Sequence, residues 1–455
     1  MTVYLLCYAA CWMLSVSGHH RMAGMGMIAA AGWLWYRDWK ISGTPLHLRG
    51  LFAFSFVGGE GLALLKLSRI SGVWTTETWL SFLLTYVVFH LVFGAVSENT
   101  LKKDRKKAPI QKAASLEESL APETGVQHAW FGMFLAITGL SAVVLLAFLF
   151  EAARLRYIPF FVRGVPHAYA YFHVKGVHYF TVSAVLLPAM AVIWFLRIPE
   201  RNLRRDIPVA SAALLGLLIP ILCASRSQML FSILLTVLVY ARMTGTKVRR
   251  GAVLGACLLA AVLFGVLSLV RGHGASYLNA VFEMKNAHMP VFFSQPYMYI
   301  INNYENFNFL TQHLQHHTLG AKGLFPLWTF TGLKNHYWFL TCWGNLYVKS
   351  ELTTTTIIYD AWYDYGIPGV MAFAAALAAV SAKVEGAVRN GRNPFRFLFW
   401  GQMALYLLLS FFTAWFSLPV TWFYFGVTGI AAAMTAVLDE GAGKQFIQRF
   451  RRKKH

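Results

Sequence analysis

The sequence predicts an all-α polytopic membrane protein of about 12 transmembrane helices, N-in and C-in, with a large, partly helical periplasmic (outer) loop. Three observations lead there. Hydrophobic residues make up 57% of the 455 and charged residues only 13%, a balance that a soluble domain of this length does not carry. Apolar runs of about 17–25 residues, the length that crosses a bilayer as a helix, recur along the chain. The 40 lysines and arginines collect in short segments between those runs, which is how orientation in a membrane is encoded.

The spans follow in order. A short pair, 3–17 and 22–36, is joined by Gly18-His19-His20-Arg21; the first has no basic leader and reads as a retained helix. Runs at 50–68, 76–97, 128–150 and 177–196 come next. Residues 207–223 and 227–243 are separated by a turn that admits only a hairpin, and Arg226 sits in it. Runs at 251–270, 364–383, 397–414 and 419–437 complete the set. With the N-terminus inside, the cytoplasmic segments hold 27 of the 40 basic residues, including a basic loop over 99–125 and a basic tail over 438–455 suited to the anionic inner leaflet. Residues 1–455 thus read as one integral membrane domain with two long outer segments, 151–176 and 271–362. Long loops in a chain of short connections usually do the work.

The net charge of +21 does not indicate a nucleic-acid binder, because the cations are dispersed among loops and form no continuous patch. Cys7, Cys11, Cys223 and Cys257 lie in or beside apolar runs and Cys342 stands alone in a polar segment, which gives no disulfide framework or metal spacing.

The outer segments are unusually basic. Arg154, Arg156, Arg163, Lys175, Arg226, Arg271, Lys285, Lys322, Lys334 and Lys349 all fall outside, against few acids: Glu283, Glu305, Glu351, Asp360 and Asp364. Such a breach of the positive-inside trend suggests an anion presented at the membrane face, and guanidinium grips phosphate oxygens bidentately. Arg154 and Arg156 also suit snorkelling beyond a helix end, and Lys322, Lys334 and Lys349 suit solvated loop charges. Arg271 leaves a helix beside Gly272, His273 and Gly274, where it also complements a helix dipole. Arg226, flanked by Ser225 and Ser227 between two spans, is expensive there unless it is paired.

The run "FFSQPYMYIINNYENFNFLTQHLQHH" mixes Tyr297, Tyr299, Tyr304, Phe307 and Phe309 with Asn302, Asn303, Asn306 and Asn308. Aromatic faces stack on sugar rings while amides bond hydroxyls, so the run suits a carbohydrate; it equally suits an amphipathic helix on the bilayer surface. His313, His316 and His317 have helical spacing without an accompanying carboxylate motif, which favours a solvated face over a metal site. Asp360 and Asp364, four apart, share a helix face where either could accept the proton of a hydroxyl or simply stabilise a helix N-terminus. Glu60 and Lys66 are expected to pair inside the membrane, with a proton path as the alternative.

Twelve spans, a hairpin tip reading "SRS", an outer loop reading "YIINNYENFNFL" and an exit reading "YDAWYDYGIPGVMAF" together resemble the Wzy-type oligosaccharide repeat unit polymerases, the O-antigen and enterobacterial common antigen polymerase family. The resemblance runs over roughly residues 128–437 and rests on order, with "HVKGVHYFTVSAVLLPAMAVIWFLR", "SRSQMLFSILL" and "LVRGHG" in the family's succession. It implies a glycosyltransferase of polysaccharide biosynthesis in the bacterial inner membrane, its active site facing outward. The donor would be a glycan on a polyprenyl (undecaprenyl) diphosphate and the acceptor a lipid-linked repeat unit. The leaving group is already activated, so neither nucleotide nor metal is needed, and the chemical demand is for cations as charge develops on the diphosphate. The resemblance assigns that task to Arg226 with Arg271 and Arg163 as neighbours, glycan contact to Tyr304, Asn303 and Tyr299, and the catalytic base to one of Glu305, Asp364 and His273. Some O-antigen polymerases carry an arginine followed eleven residues later by glycine in two outer loops; here Val174 and Phe282 stand at those distances from Arg163 and Arg271. The family usually works with a chain-length regulator and a flippase. The alternatives are an O-antigen-ligase-like glycan transferase, or a lipid-linked oligosaccharide flippase or transporter, which would show cations along a central cavity and repeated halves.

Overall fold

The computed structural model describes residues 1–118, 130–162, 168–245, 279–390 and 393–439. In chain order the helices are α1 (Thr2–Val16), α2 (His20–Ser42), α3 (Leu48–Phe52), a π turn (Ala53–Val57), α4 (Gly58–Leu64), α5 (Thr76–Glu118), α6 (Phe131–Leu155), α7 (Ala168–Tyr171), α8 (His178–Val182), α9 (Leu187–Arg197), α10 (Leu203–Leu222) and α11 (Arg226–Thr244). Then come α12 (Val291–His313), α13 (Phe325–Phe330), α14 (Tyr359–Asn390), α15 (Arg396–Leu408) and α16 (Pro419–Asp439). Among the described residues there is no strand, only one isolated bridge between Ser68 and Met284.

Among the described residues seven stretches are helical, long and apolar enough to cross a membrane: 76–99, 131–155, 178–197, 203–222, 226–244, 359–389 and 419–438. This is the make-up of a membrane-embedded protein. Each matches an expected span, because an uninterrupted apolar run has no alternative way to satisfy its backbone in lipid. Four expected spans come out differently. The run at 50–68 is a broken helix over 48–64 with the π turn inside it, and the chain turns at Lys66, which has φ 49°. The run at 397–414 stops at Leu408 after 13 residues of helix. In place of 3–17 stands the 15-residue α1, Thr2–Val16, and 22–36 fall within α2, whose last turns carry Arg37, Asp38 and Lys40. The run at 251–270 lies outside the described residues. The basic segment over 99–125 is not an irregular loop through most of its length: α5 continues to Glu118, as its Lys-, Ala- and Gln-rich sequence favours.

The described residues fall into two compact units, one drawn from 1–100, 273–386 and 406–422, the other from 101–272, 387–405 and 423–455. In the first, α1 buries Tyr4, Tyr8 and Cys11 along one stripe, and the Tyr8 hydroxyl donates to the Trp79 carbonyl at 2.7 Å. Helices α2 and α4 meet at Gly24 and Gly61; a Cβ at Gly24 would stand 2.7 Å from the Gly61 carbonyl oxygen, so only glycine permits that approach. Asp38, fully buried, accepts from Arg49 Nε and an Arg49 terminal nitrogen, each at 2.9 Å, which closes the α2–α3 corner. Helix α14 is kinked at Gly366, whose φ 62°, ψ −146° is a conformation that only glycine adopts without strain.

In the second unit the Glu151 carboxylate accepts from Val174 N at 2.8 Å and from Thr181 Oγ1 at 2.7 Å and pairs with His178 at 3.1 Å, so the end of α6 is tied to the start of α8. Gly216 on α10 packs against Ala184 and Pro188, and the Tyr424 hydroxyl of α16 donates to the Val182 carbonyl at 3.0 Å.

Candidate functional site

Helix α12 carries the asparagine and aromatic run, and residues 301–308 are buried on every side of it. A helix enclosed in this way belongs to a core, and its polar side chains must find partners there. They do so in two directions. Asn302 and Asn306, one turn apart, both donate to the Leu352 carbonyl, at 3.1 and 2.8 Å, and Asn306 Oδ1 accepts from Val348 N at 2.9 Å. Glu305 and Asn308 face the connector after α4: Glu305 accepts from Gly72 N at 3.0 Å and Trp74 Nε1 at 3.2 Å, and Asn308 Oδ1 accepts from Thr75 N at 3.0 Å. Tyr304, fully buried, donates its hydroxyl to the Phe56 carbonyl at 2.6 Å, within the π turn. The run is therefore a double clamp that fixes segments 72–75 and 348–354 to one helix.

This placement bears on the expected site residues one by one. Tyr304 stacks beside Trp74 in the interior, and Asn303 is buried with its amide donating to the Tyr299 carbonyl at 2.5 Å, so both are engaged internally. Tyr299 is exposed. Glu305 is 1% exposed and acts through the connector it holds. Arg163, Arg271 and His273 lie outside the described residues. Lys66 does not pair with Glu60; its ammonium donates to the Gly72 carbonyl at 2.7 Å, on the Glu305 side, because the chain turns away from α4 at that residue. Glu60 is fully buried beside Tyr8 and makes no ion pair among the described residues.

Burial pushes the Glu305 carboxyl up to about 7, against the opposing pull of Gly72 N–H, Trp74 N–H and Lys66. A folded-state value above the unfolded one means that the folded chain holds this proton more tightly. The resulting stabilisation is complete below the ordinary carboxylate range and is lost as pH rises through 7. The thermal midpoint of the detergent-solubilised protein should thus fall between pH 5 and pH 8, and Glu305→Gln should flatten the fall by roughly 1–3 kcal/mol. An unchanged slope in the variant would remove Glu305 as its source.

A second polar cluster forms where α14 begins. Asp364, 2% exposed, accepts from Thr318 Oγ1, from Lys322 N at 3.2 Å and from Gly323 N at 2.7 Å, which ties the 318–323 turn to the second turn of the helix. The Tyr359 hydroxyl donates to the Leu346 carbonyl at 2.7 Å and the Tyr363 hydroxyl to the Gly344 carbonyl at 3.0 Å, which ties segment 344–346 to the same two turns. Lys322 spans the gap: its ammonium bonds Asn345 Oδ1 and lies 4.4 Å from the centre of the Tyr363 ring. It is not the solvated loop charge that its sequence suggests. Burial lowers its pKa, and the nearby carboxylates of Asp360 and Asp364 resist that shift. Asp360 is half-buried, with Lys322 and the Ser417 hydroxyl as polar neighbours. Among the described residues Asp360, unlike Asp364, accepts from no backbone N–H. His317 Nδ1 bonds the Tyr363 carbonyl oxygen at 3.1 Å, whereas His313 stacks on Phe309, so the histidines serve separate contacts.

In the other unit Arg226 is the first residue of α11, half-buried, after the N-cap Ser225, whose hydroxyl accepts from Gln228 N at 3.5 Å. A cation at that position opposes the helix dipole, so helix stability is not what places it there. Arg154, Arg156 and Lys175 are exposed around the end of α6 and the loop that follows. The chain matches no family model, no curated protein and no solved structure.

Proposed function

We propose that this protein is a Wzy-type polymerase, a polyprenyl-diphosphate-dependent glycosyltransferase that joins lipid-linked oligosaccharide repeat units on the outer face of the bacterial cytoplasmic membrane. The observation that carries the reading is the Asp360–Lys322 cluster at the head of a helix long and apolar enough to cross a membrane, in a chain whose segments 151–176 and 271–362 carry many cations. In this reading the chain crosses the membrane twelve times with both termini inside, and 271–362 faces outward. Asp360 takes the proton as the acceptor hydroxyl attacks the reducing-end carbon of the donor glycan. A new carbon–oxygen bond forms there, the bond to the diphosphate breaks, and the electron pair leaves with polyprenyl diphosphate. The resemblance gives the task of stabilising that departing charge to Arg226, with Arg163 and Arg271. The exposed Tyr299 ring offers a stacking face for sugar. A chain-length regulator and a flippase are the expected partners.

Arg226→Ala tests the diphosphate role. Loss of one charge-assisted contact is worth ~1.5–3 kcal/mol, so polymerisation should slow roughly ten- to a hundredfold, with Arg226→Lys in between. The readout is the glycan length ladder at matched protein level. A wild-type ladder from Arg226→Ala cells would end this assignment.

A further inference from the structure

Residues 324–342 form a lobe with a closed neck. On one side the neck is the 318–323 turn held by Asp364, on the other it is segment 344–346 held by Tyr359 and Tyr363, and Lys322 joins the two through Asn345. The lobe is also braced internally: Trp343 Nε1 donates to the Phe339 carbonyl at 2.6 Å and Trp328 Nε1 to the Gly320 carbonyl at 3.2 Å. Yet its outer surface is apolar. Trp338 is 75% exposed, Phe330 51% and Leu327 50%, with Tyr337 and Phe339 beside them. Among the described residues they lie outside the stretches capable of crossing the membrane, so spanning does not account for their exposure. A cluster of this kind on a braced lobe marks an interaction surface.

Two facts identify what it meets. The neck is bonded to the first two turns of α14, and the stretch 359–389 able to cross the membrane begins at Tyr359, so the lobe leaves the body beside the end of that stretch. Between Glu305 and Glu351 there is no acidic residue; of the lysines in the interval Lys349 pairs with Glu283 at 2.8 Å and Lys322 closes the neck, which leaves Lys334, its ammonium 5.3 Å over the Phe325 ring, as the cation of the lobe. Exposed tryptophan, tyrosine and phenylalanine with a cation beside them and no acid among them suit the bilayer interface, where rings sit among headgroups and a cation meets lipid phosphate. We infer that the 324–342 lobe is a membrane anchor, seated through Leu327, Phe330, Trp338 and Phe339 in the interface of a bilayer containing anionic phospholipid. It holds the head of α14, with Asp360 and Lys322, at the lipid surface.

The test uses the full chain in vesicles of phosphatidylcholine and phosphatidylglycerol. A nitroxide is attached at Trp338→Cys in a chain whose native cysteines are replaced by serine or alanine, and its collisions with oxygen and with a water-soluble nickel chelate are compared with those of a label at Glu351→Cys. The lobe in the interface gives an oxygen-to-nickel ratio several-fold above the Glu351 control. A ratio equal to the control, or shielding from both quenchers as in a protein contact, overturns the inference. The conservative Trp338→Phe, with the native cysteines retained, gives a second reading that does not depend on the cysteine replacements. Brominated phosphatidylcholine should quench the wild-type emission by a larger fraction than that of Trp338→Phe, and equal fractions overturn the inference as well.

Discussion

Asp360→Asn should leave the protein folded and bring chain growth close to a halt. The substitution keeps the size and hydrogen-bonding reach of the side chain but removes its ability to take up a proton. Loss of a positioned general base slows a reaction by roughly 10²- to 10⁴-fold. Asp360 is half-buried and among the described residues accepts from no backbone N–H, so the thermal midpoint should stay near that of the wild type while the polymer ladder collapses towards single repeat units. Purified protein supplied with lipid-linked repeat units separates the two readouts. A full rate from Asp360→Asn would take the base role away from this residue.

The neighbouring carboxylate should behave in the opposite way. Asp364→Ala removes the acceptor of Thr318 Oγ1, Lys322 N and Gly323 N from a site that is 2% exposed. Each buried donor left unsatisfied costs about 1–3 kcal/mol, and partial relaxation brings the total to the order of 3–5 kcal/mol. The neck of the 324–342 lobe should open, which limited proteolysis would detect as new cleavage in that segment, and the thermal midpoint should drop. Asp364→Asn, which keeps one acceptor oxygen but turns an amide donor towards the turn, should fall between the two. A midpoint unchanged in Asp364→Ala would contradict the anchoring role.

The contrast between these two aspartates shows what could be read from sequence. Their four-residue spacing and shared helix face were legible, but not which of them is saturated, because the partners of Asp364 lie more than 40 residues away, at Thr318, Lys322 and Gly323. The hairpin at Arg226 was legible, since two apolar runs with a short break predict a turn; that Ser225 caps the second helix and Arg226 is its first residue came from the fold. The break in the 48–64 helix was not, since a π turn arises from packing, here against Tyr304 from a distant helix, and leaves no mark on hydropathy. Nor was the purpose of "NNYENFN". Asparagine and tyrosine suit a sugar, and they suit buried backbone groups equally well. The deciding partners, among them Gly72, Trp74 and Leu352, are near only in the fold.

The central claim is that this protein joins repeat units. It is tested most directly by deleting the gene and separating the cell's lipid-linked and surface glycans by length. Polymerase activity predicts that surface polymer collapses to single repeat units. Long lipid-linked chains that accumulate without reaching a final acceptor would contradict it and identify a ligase, and repeat units that never appear outside the membrane would contradict it in favour of a flippase.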